Sequence, residues 1–161
     1  MEYKKYMSFE DIDKFKFCDL VISSFGKKLV SNYFDITIPK YICIAQDNEE
    51  YLGGIVVLPF KQDIVYLDKI MVHANHIHNG VGKNLWTILN GDSNKILWRA
   101  KSTNPINNFY EKQCTGLHKI DEWIIYWKGL NLVELSEGID FAINKKVTLE
   151  NIFEHLDSKT I

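Results

Sequence analysis

The stretch from Leu67 to Trp86 constrains the fold of this chain more than any other. Ile64 to Val72 is apolar and largely β-branched apart from Asp68 and Lys69, the composition of a buried strand. After a loop, Val81, Leu85, Ile88 and Leu89 fall at i, i+4, i+7 and i+8, the stripe of an amphipathic helix. Gly80-Val81-Gly82 marks the junction. Glycines there let the backbone turn tightly and let a ligand approach it. The first amides of a helix have no internal partners and sit at the positive end of its dipole. The order of strand, glycine turn and helix therefore makes a natural pyrophosphate cradle. A turn with no ligand is the alternative.

The chain has 161 residues, enough for one domain with a real core, and is read as a single domain over 1–161. Apolar content of 46% against 25% charged excludes a disordered chain. A net charge of -2 argues against a broad nucleic-acid footprint, which needs a basic surface. No run approaches membrane-spanning length, and the N-terminus lacks a signal-like apolar core, so neither nucleic acid nor membrane is expected as a partner. Cys18, Cys43 and Cys114 are odd in number and widely spaced, as in a reduced, cytoplasmic protein.

Taken in order, Ser8 predicts a helix cap, with Ile12, Phe15, Cys18 and Ile22 as the apolar face to about Ser24. Leu29, Val30, Tyr33 and Phe34 predict a second short helix. Tyr41–Gln46 and Tyr51–Phe60 read as a hairpin, with Gly53-Gly54 as a place for a bulge. After the central strand and helix, Ile96–Ala100 reads as a strand. Asn104 caps and Pro105 opens a loop and short helix to about Gln113. Two more strands are expected around Leu117–Lys119 and Glu122–Trp127. Leu135, Ile139, Ala142 and Ile143 predict a helix, and Thr148 caps a last one through Leu156. The sum is a mixed α/β sheet with helices on both faces.

A second stretch sharpens the first. Phe25-Gly26-Lys27-Lys28, Tyr66-Leu67-Asp68-Lys69, Gly80-Val81-Gly82 with Leu85-Trp86, Trp98-Arg99, Asn104-Pro105-Ile106-Asn107 with Tyr110, and Trp123 with Trp127-Lys128-Gly129-Leu130 follow one another between Ser24 and Leu130. In these pieces and their order the chain resembles the acetyltransferase domain of vertebrate-type and bifunctional N-acetylglutamate synthases. That domain belongs to the GNAT superfamily of acyl-CoA-dependent N-acetyltransferases. The resemblance implies the GNAT fold, a splayed mixed sheet flanked by helices with the cosubstrate's pantetheine in the gap. It also implies acetyl-CoA as cosubstrate. The family usually carries an amino-acid kinase domain ahead of this one; here only a short segment precedes the first helix. Arginine regulation and tetramer assembly through that domain are therefore not expected, while an oligomer of another kind stays open.

The reaction implied is attack of a neutral amine on a thioester through a tetrahedral intermediate. Main-chain groups of Ile70, Met71 and Val72 are expected along the cosubstrate, with oxyanion donors near Met71 and Val72. The loop residues Ile77, His78, Asn79, Gly80, Val81, Gly82 and Lys83 are expected at the pyrophosphate; Ile77 stands where the superfamily usually has Gln or Arg. Tyr110 matches the tyrosine that gives a proton or hydrogen bond to the departing thiolate, against packing on the sheet like Phe109. Asn104 combines capping with a substrate or backbone contact. Arg99 and Lys101, two apart on one strand, share a face. With Lys27, Lys28 and Lys69 they are expected to bind a dicarboxylate such as L-glutamate, since buried carboxylates need paired cations. Lys101 replaces the family's arginine, and a lysine cannot make its planar bidentate contact. No side chain stands out as a general base.

His73, His76 and His78 are close enough for metal ligation, but they lie in the phosphate loop without an evident fourth ligand, so no metal is expected. Trp98, Trp123 and Trp127 read most simply as core. The leading reading is acetylation of the α-amine of L-glutamate by direct transfer in a ternary complex, a step of arginine biosynthesis. Alternatives are a GNAT enzyme acting on another small acidic amine or a protein N-terminus, and a non-catalytic acetyl-CoA-binding module.

Overall fold

The computed structural model describes residues 1–153. Nine strands and five helices follow in order: β1 (Glu2–Tyr6), α1 (Lys14–Phe25), β2 (Lys28–Leu29), α2 (Tyr33–Ile36), β3 (Tyr41–Asp47), β4 (Glu50–Lys61), β5 (Ile64–Val72), α3 (Val81–Asp92), β6 (Ile96–Lys101), α4 (Asn107–Gln113), β7 (Gly116–Ile120), β8 (Trp123–Lys128), α5 (Leu132–Asn144) and β9 (Leu149–Glu150). Seven strands form one sheet in the order β1-β3-β4-β5-β6-β8-β7, and β2 with β9 forms a two-stranded ribbon. All neighbours in the sheet are antiparallel except β5 and β6.

Alternation along the strands builds two apolar layers. Tyr41, Cys43, Ile55, Val57, Val65 and Leu67 face α3 and α4, where Leu85, Trp86, Leu89 and Tyr110 meet them. Ile42, Ile44, Val56, Tyr66 and Met71 face the other way, onto Phe17, Leu20 and Val21 of α1, Tyr33 of α2 and Ala142 of α5. Each large apolar side chain so enclosed contributes about 1.5–3 kcal/mol. Asn131 and Glu134 start α5 with reciprocal side-chain bonds to each other's amides, both at 2.9 Å.

Several expectations are corrected. Ser8 caps only a 3-10 turn, Phe9–Asp11; α1 begins later, with Asp13 accepting from the Lys16 amide at 3.0 Å. Its inner face is Phe17, Leu20 and Val21, while Phe15 is 87% exposed. Apolar residues surround this helix, so two stripes fit the sequence, and only contact with the sheet selects one. Glu2–Tyr6 is an edge strand on β3 that the sequence reading left out. Leu29 belongs to β2 and not to a helix. Thr148 caps no helix: the chain enters β9, and the remainder of that expected helix, from Glu154, lies outside the described residues. The bulge near the glycine pair falls at Leu52, where the β3–β4 register shifts.

Gly53 serves a different purpose. A Cβ there would lie 2.6 Å from Val81 Cγ1 and 2.8 Å from the Met71 carbonyl oxygen. Only glycine lets the first turn of α3 press so closely onto β4.

Candidate active site

β5 and β6 pair only at Val65–Ile96, Tyr66–Leu97 and Leu67–Trp98, then part. A bulge helps to part them. Leu67 pairs with Val57 and Lys69 with Val56, which leaves Asp68 as the extra residue. Asp68 and Lys69 consequently both turn toward α1, α2 and the chain after α5. There Asp68 meets Tyr33, and Lys69 lies over the rings of Tyr33 and Phe25 at 5.1 and 5.9 Å.

The wedge exposes backbone groups of β5. His73 donates its amide to Leu52 on β4 at 2.8 Å. By alternation the amides of Lys69 and Met71 also face β4, and those of Ile70 and Val72 face the wedge. The Val72 amide is held by Ser24 Oγ at 3.1 Å. The Met71 amide therefore faces β4, while the amides of Ile70 and Val72, both expected along the cosubstrate, face the wedge.

Next to this edge stands the glycine turn. Gly80 has φ +77° and precedes α3 with no side-chain cap, so the first amides of a twelve-residue helix point outward. A Cβ on Gly82 would be 3.1 Å from Val72 Cγ2, which puts the helix start against the end of the wedge. Ile77, His78, Asn79 and Lys83 are exposed around it. His73 and His76 support the turn: the first accepts the Asn75 amide and the second bonds Asn79, both at 3.1 Å. Among the described residues no three His, Cys, Asp or Glu side chains converge as a metal cluster.

On the other side of the wedge lies a cavity of about 150 Å³. Lys27, Lys69, Ile70, Arg99, Lys101, Asn104 and Tyr110 all line it, together with Asp68 and the strap Lys145–Leu149. Lys28 does not; it is exposed and pairs with Glu150 at 3.7 Å.

The cations have partners already. Lys69, 6% exposed, donates to Thr148 Oγ1 at 2.8 Å. Arg99 donates to the carbonyl of Ala142 at 2.8 Å and lies 3.9 Å from the Trp123 ring centre. Lys101 shares that ring at 4.5 Å and pairs with Glu122 at 2.7 Å. Trp123 is thus a platform for two cations rather than core. Burial pushes the Lys69 ammonium below its ordinary pKa, Asp68 opposing. Burial alone would raise the Asp68 carboxyl; Lys69, Lys145 and the Tyr33 hydroxyl outweigh it and hold Asp68 below the usual carboxylate range.

Tyr110 is enclosed by Trp86, Trp98 and Tyr126, with ring centres 5.3–6.0 Å away. Burial, helped by Tyr126, drives its pKa well above that of a free phenol. A phenol shifted this way holds its proton, and its hydroxyl can donate a hydrogen bond. Among the described residues the sealed, unpartnered polar atoms are Tyr41 Oη, Trp86 Nε1 and Trp98 Nε1, and the Tyr110 hydroxyl is not one of them. Two asparagines hold its helix. Asn104 Oδ1 accepts the Ile106 amide at 3.1 Å, so it caps the turn before α4 and not α4 itself. Asn107 donates to the Lys101 carbonyl at 2.9 Å and accepts from the Tyr126 hydroxyl at 2.9 Å.

Sequence reading missed Lys145, Lys146 and Thr148 as walls of the cavity, and Ser24 and Asn107 as its supports. For Asn107 a signal existed, a polar side chain in a helix turn otherwise facing the core; for the strap none did.

The profile described as NAT, N-acetyltransferase, of N-acetylglutamate synthase matches residues 2–156. Mitochondrial N-acetylglutamate synthase of Homo sapiens is 34% identical over 146 residues, 86% of this chain and 27% of that protein. The Danio rerio protein of the same name is 32% identical over 142 residues, again 86% and 27%. An acetylglutamate kinase of Xylella fastidiosa is 31% identical over 124 residues, 77% of this chain and 28% of that one. The chain thus spans about a quarter of the length of these relatives. Among solved structures, Arabidopsis thaliana Naa50 in complex with the bisubstrate analogue CoA-Ac-MVNAL superposes with a TM-score of 0.61 at 18% identity, over 81% of this chain and 100% of that one. The PaiA N-acetyltransferase of Thermoplasma acidophilum in complex with coenzyme A gives 0.58 at 14%, over 80% and 99%. These likenesses establish the fold, the GNAT type of splayed α/β sheet.

Proposed function

The chain belongs to the N-acetyltransferase family of N-acetylglutamate synthase, and on that premise we propose that it transfers the acetyl group of acetyl-CoA to the α-amine of L-glutamate. The observation that carries the reading is the small cationic cavity at the parting of β5 and β6. Its volume, about 150 Å³, is below the ~300–1,000 Å³ of pockets for drug-sized ligands and suits an amino acid. Lys69 and Arg99, on opposite sides of the wedge, supply the positive charge that two carboxylates require.

The residues fit a thioester cosubstrate. The unpaired β5 edge offers main-chain partners to an extended chain of amides, and the start of α3 offers amides to a pyrophosphate. When bound, the cosubstrate supplies an acetyl group activated as a thioester. The Ile70 amide stabilises the carbonyl oxygen as it gains charge. Lys69 and Arg99 hold the acceptor so that its neutral amine faces the wedge. Tyr110 keeps its proton and hydrogen-bonds the departing sulfur, which leaves as a thiolate, while the surplus proton of the attacking amine passes to water. Asn104 and Asn107 keep α4, and so Tyr110, in place.

The direct transfer needs both substrates in one complex, and the adjoining wedge and cavity allow it. Such a reaction belongs to the start of arginine biosynthesis, and a reducing compartment such as the cytoplasm suits the three unpaired thiols. Lys101, already paired with Glu122, favours a second reading in which another small acidic amine is the acceptor. Incubating the purified protein with acetyl-CoA and each amino acid in turn, with thiol release followed and products weighed, tests both readings. N-acetylglutamate as the main product upholds the first; a different N-acetyl acid replaces it with the second.

A further inference from the structure

The cavity contains a carboxylate of its own, which a pocket for a dicarboxylate should not tolerate. Asp68 sits in the bulge of β5 with its side chain 5% exposed. Its Oδ2 accepts from the Tyr33 hydroxyl at 2.7 Å, and Lys69 stands 3.7 Å from the same atom, beyond hydrogen-bond reach. Its Oδ1 belongs to Lys145, whose Nζ is 3.2 Å away. Lys69 instead spends its close contact on Thr148. The two lysines therefore divide the work unequally, and Lys145 is the one that neutralises Asp68.

We propose that Lys145 is a specificity-determining residue for the acceptor: by cancelling Asp68 it leaves Lys69 and Arg99 as an uncancelled positive pair facing a doubly negative substrate. The inference rests on the acetyl-transfer reading above and goes beyond it by naming what sets the charge of the pocket. Among the described residues the enclosed groups are Lys69, Arg99 and Lys145 against Asp68, three positive charges less one negative, which leaves two. Lys101 is cancelled by Glu122, and Lys27 and Lys146 are exposed to solvent at the rim. Two residual charges match two carboxylates. Without Lys145, Asp68 would draw Lys69 to itself, and one substrate carboxylate would be buried without a partner.

The experiment compares KM for glutamate, KM for glutamine and KM for acetyl-CoA in wild type, Lys145→Met, Lys145→Arg, Asp68→Asn and the double variant Asp68→Asn with Lys145→Met. Lys145→Met should raise the glutamate KM about tenfold or more, and shrink the glutamate-over-glutamine preference by a like factor, with acetyl-CoA unaffected. The double variant removes one charge of each sign and should recover most of the preference. A role in folding alone would not be rescued by removing a second buried group. Should Lys145→Met fail to fold, Asp68→Asn and Lys145→Arg carry the test, since both should keep the preference for glutamate. An unchanged preference in Lys145→Met, or its collapse in Asp68→Asn, would overturn the proposal. If wild type ignores glutamate but acetylates another anionic amine, the glutamate reading fails and the same variants are read on that amine. Turnover of uncharged amines alone overturns both.

Discussion

Lys69 Nζ lies 2.8 Å from Thr148 Oγ1, although the two residues are 79 positions apart. This contact joins the bulged end of β5 to the strap that follows α5. The strap is fixed again where Val30 donates to the Thr148 carbonyl at 2.9 Å, where Arg99 reaches the Ala142 carbonyl, and through the β2–β9 ribbon. The cavity thus has a wall made from the far end of the described chain, and Lys69 and Arg99, the residues proposed to bind the acceptor, also hold that wall.

Replacing Tyr110 with Phe removes the donor and little of the packing. Turnover should fall about a hundredfold, the lower end of what one positioned hydrogen-bond donor contributes, while the acetyl-CoA KM stays nearly constant. Because burial raises the phenol's pKa, the wild-type rate should show no alkaline loss from this group up to pH 10. Steady-state kinetics from pH 6 to 10 checks both statements, and unchanged turnover in the variant would remove Tyr110 from the mechanism.

Arg99→Ala should raise the acceptor KM and also lower stability. The guanidinium's bond to Ala142 is charge-assisted, and its loss costs roughly 1.5–3 kcal/mol. Arg99→Lys should recover part of the stability but not the planar contacts. Thermal unfolding beside acceptor kinetics separates the two effects.

Gly53→Ala should destabilise the protein by about 1–3 kcal/mol, the usual cost of overpacking. The new methyl meets Val81 Cγ1 and the Met71 carbonyl, so the start of α3 must move. Acetyl-CoA affinity should fall in the same variant, and calorimetric titration measures it. Full affinity would mean that the α3 start does not form the cradle.

Asp68 gives stability a defined pH dependence. Its folded-state pKa is below the ordinary 3.8, so its stabilisation is complete above that value and disappears as pH falls through the lower, folded one. Lys69 is depressed too, by burial first, so holding it charged costs stability at neutral pH and the cost fades as pH rises toward 10.5. Asp68→Asn should therefore melt below wild type at pH 6, with the gap closing on acidification below pH 4. A gap independent of pH would contradict the assignment.

What the sequence revealed and what it hid follow from range. The β5–α3 unit was legible because its periods of two and 3.6 and its glycines act within one stretch, and Tyr110 because a compact motif surrounds it. The inner face of α1 was not, since Phe15 and Phe17 both suit a stripe until the sheet chooses between them. Two-residue strands such as β2 and β9 have no pattern of their own. Lys145 and Thr148 look like ordinary polar residues after a helix; only the folded chain puts them beside Asp68 and Lys69. Which β5 amides face the wedge was hidden because pairing direction, not composition, decides it: those of Ile70 and Val72 do, and that of Met71 does not.

The most direct test of the central claim is kcat/KM for glutamate against glutamine, with acetyl-CoA saturating. The pair differs by one carboxylate at nearly equal size. A cavity with two uncancelled positive charges should favour glutamate by at least about thirtyfold, the factor for about 2 kcal/mol lost when one partner of a buried charge pair is removed. Equal use of the two amino acids would contradict the account, for it would mean that the cations around this cavity do not read the acceptor at all.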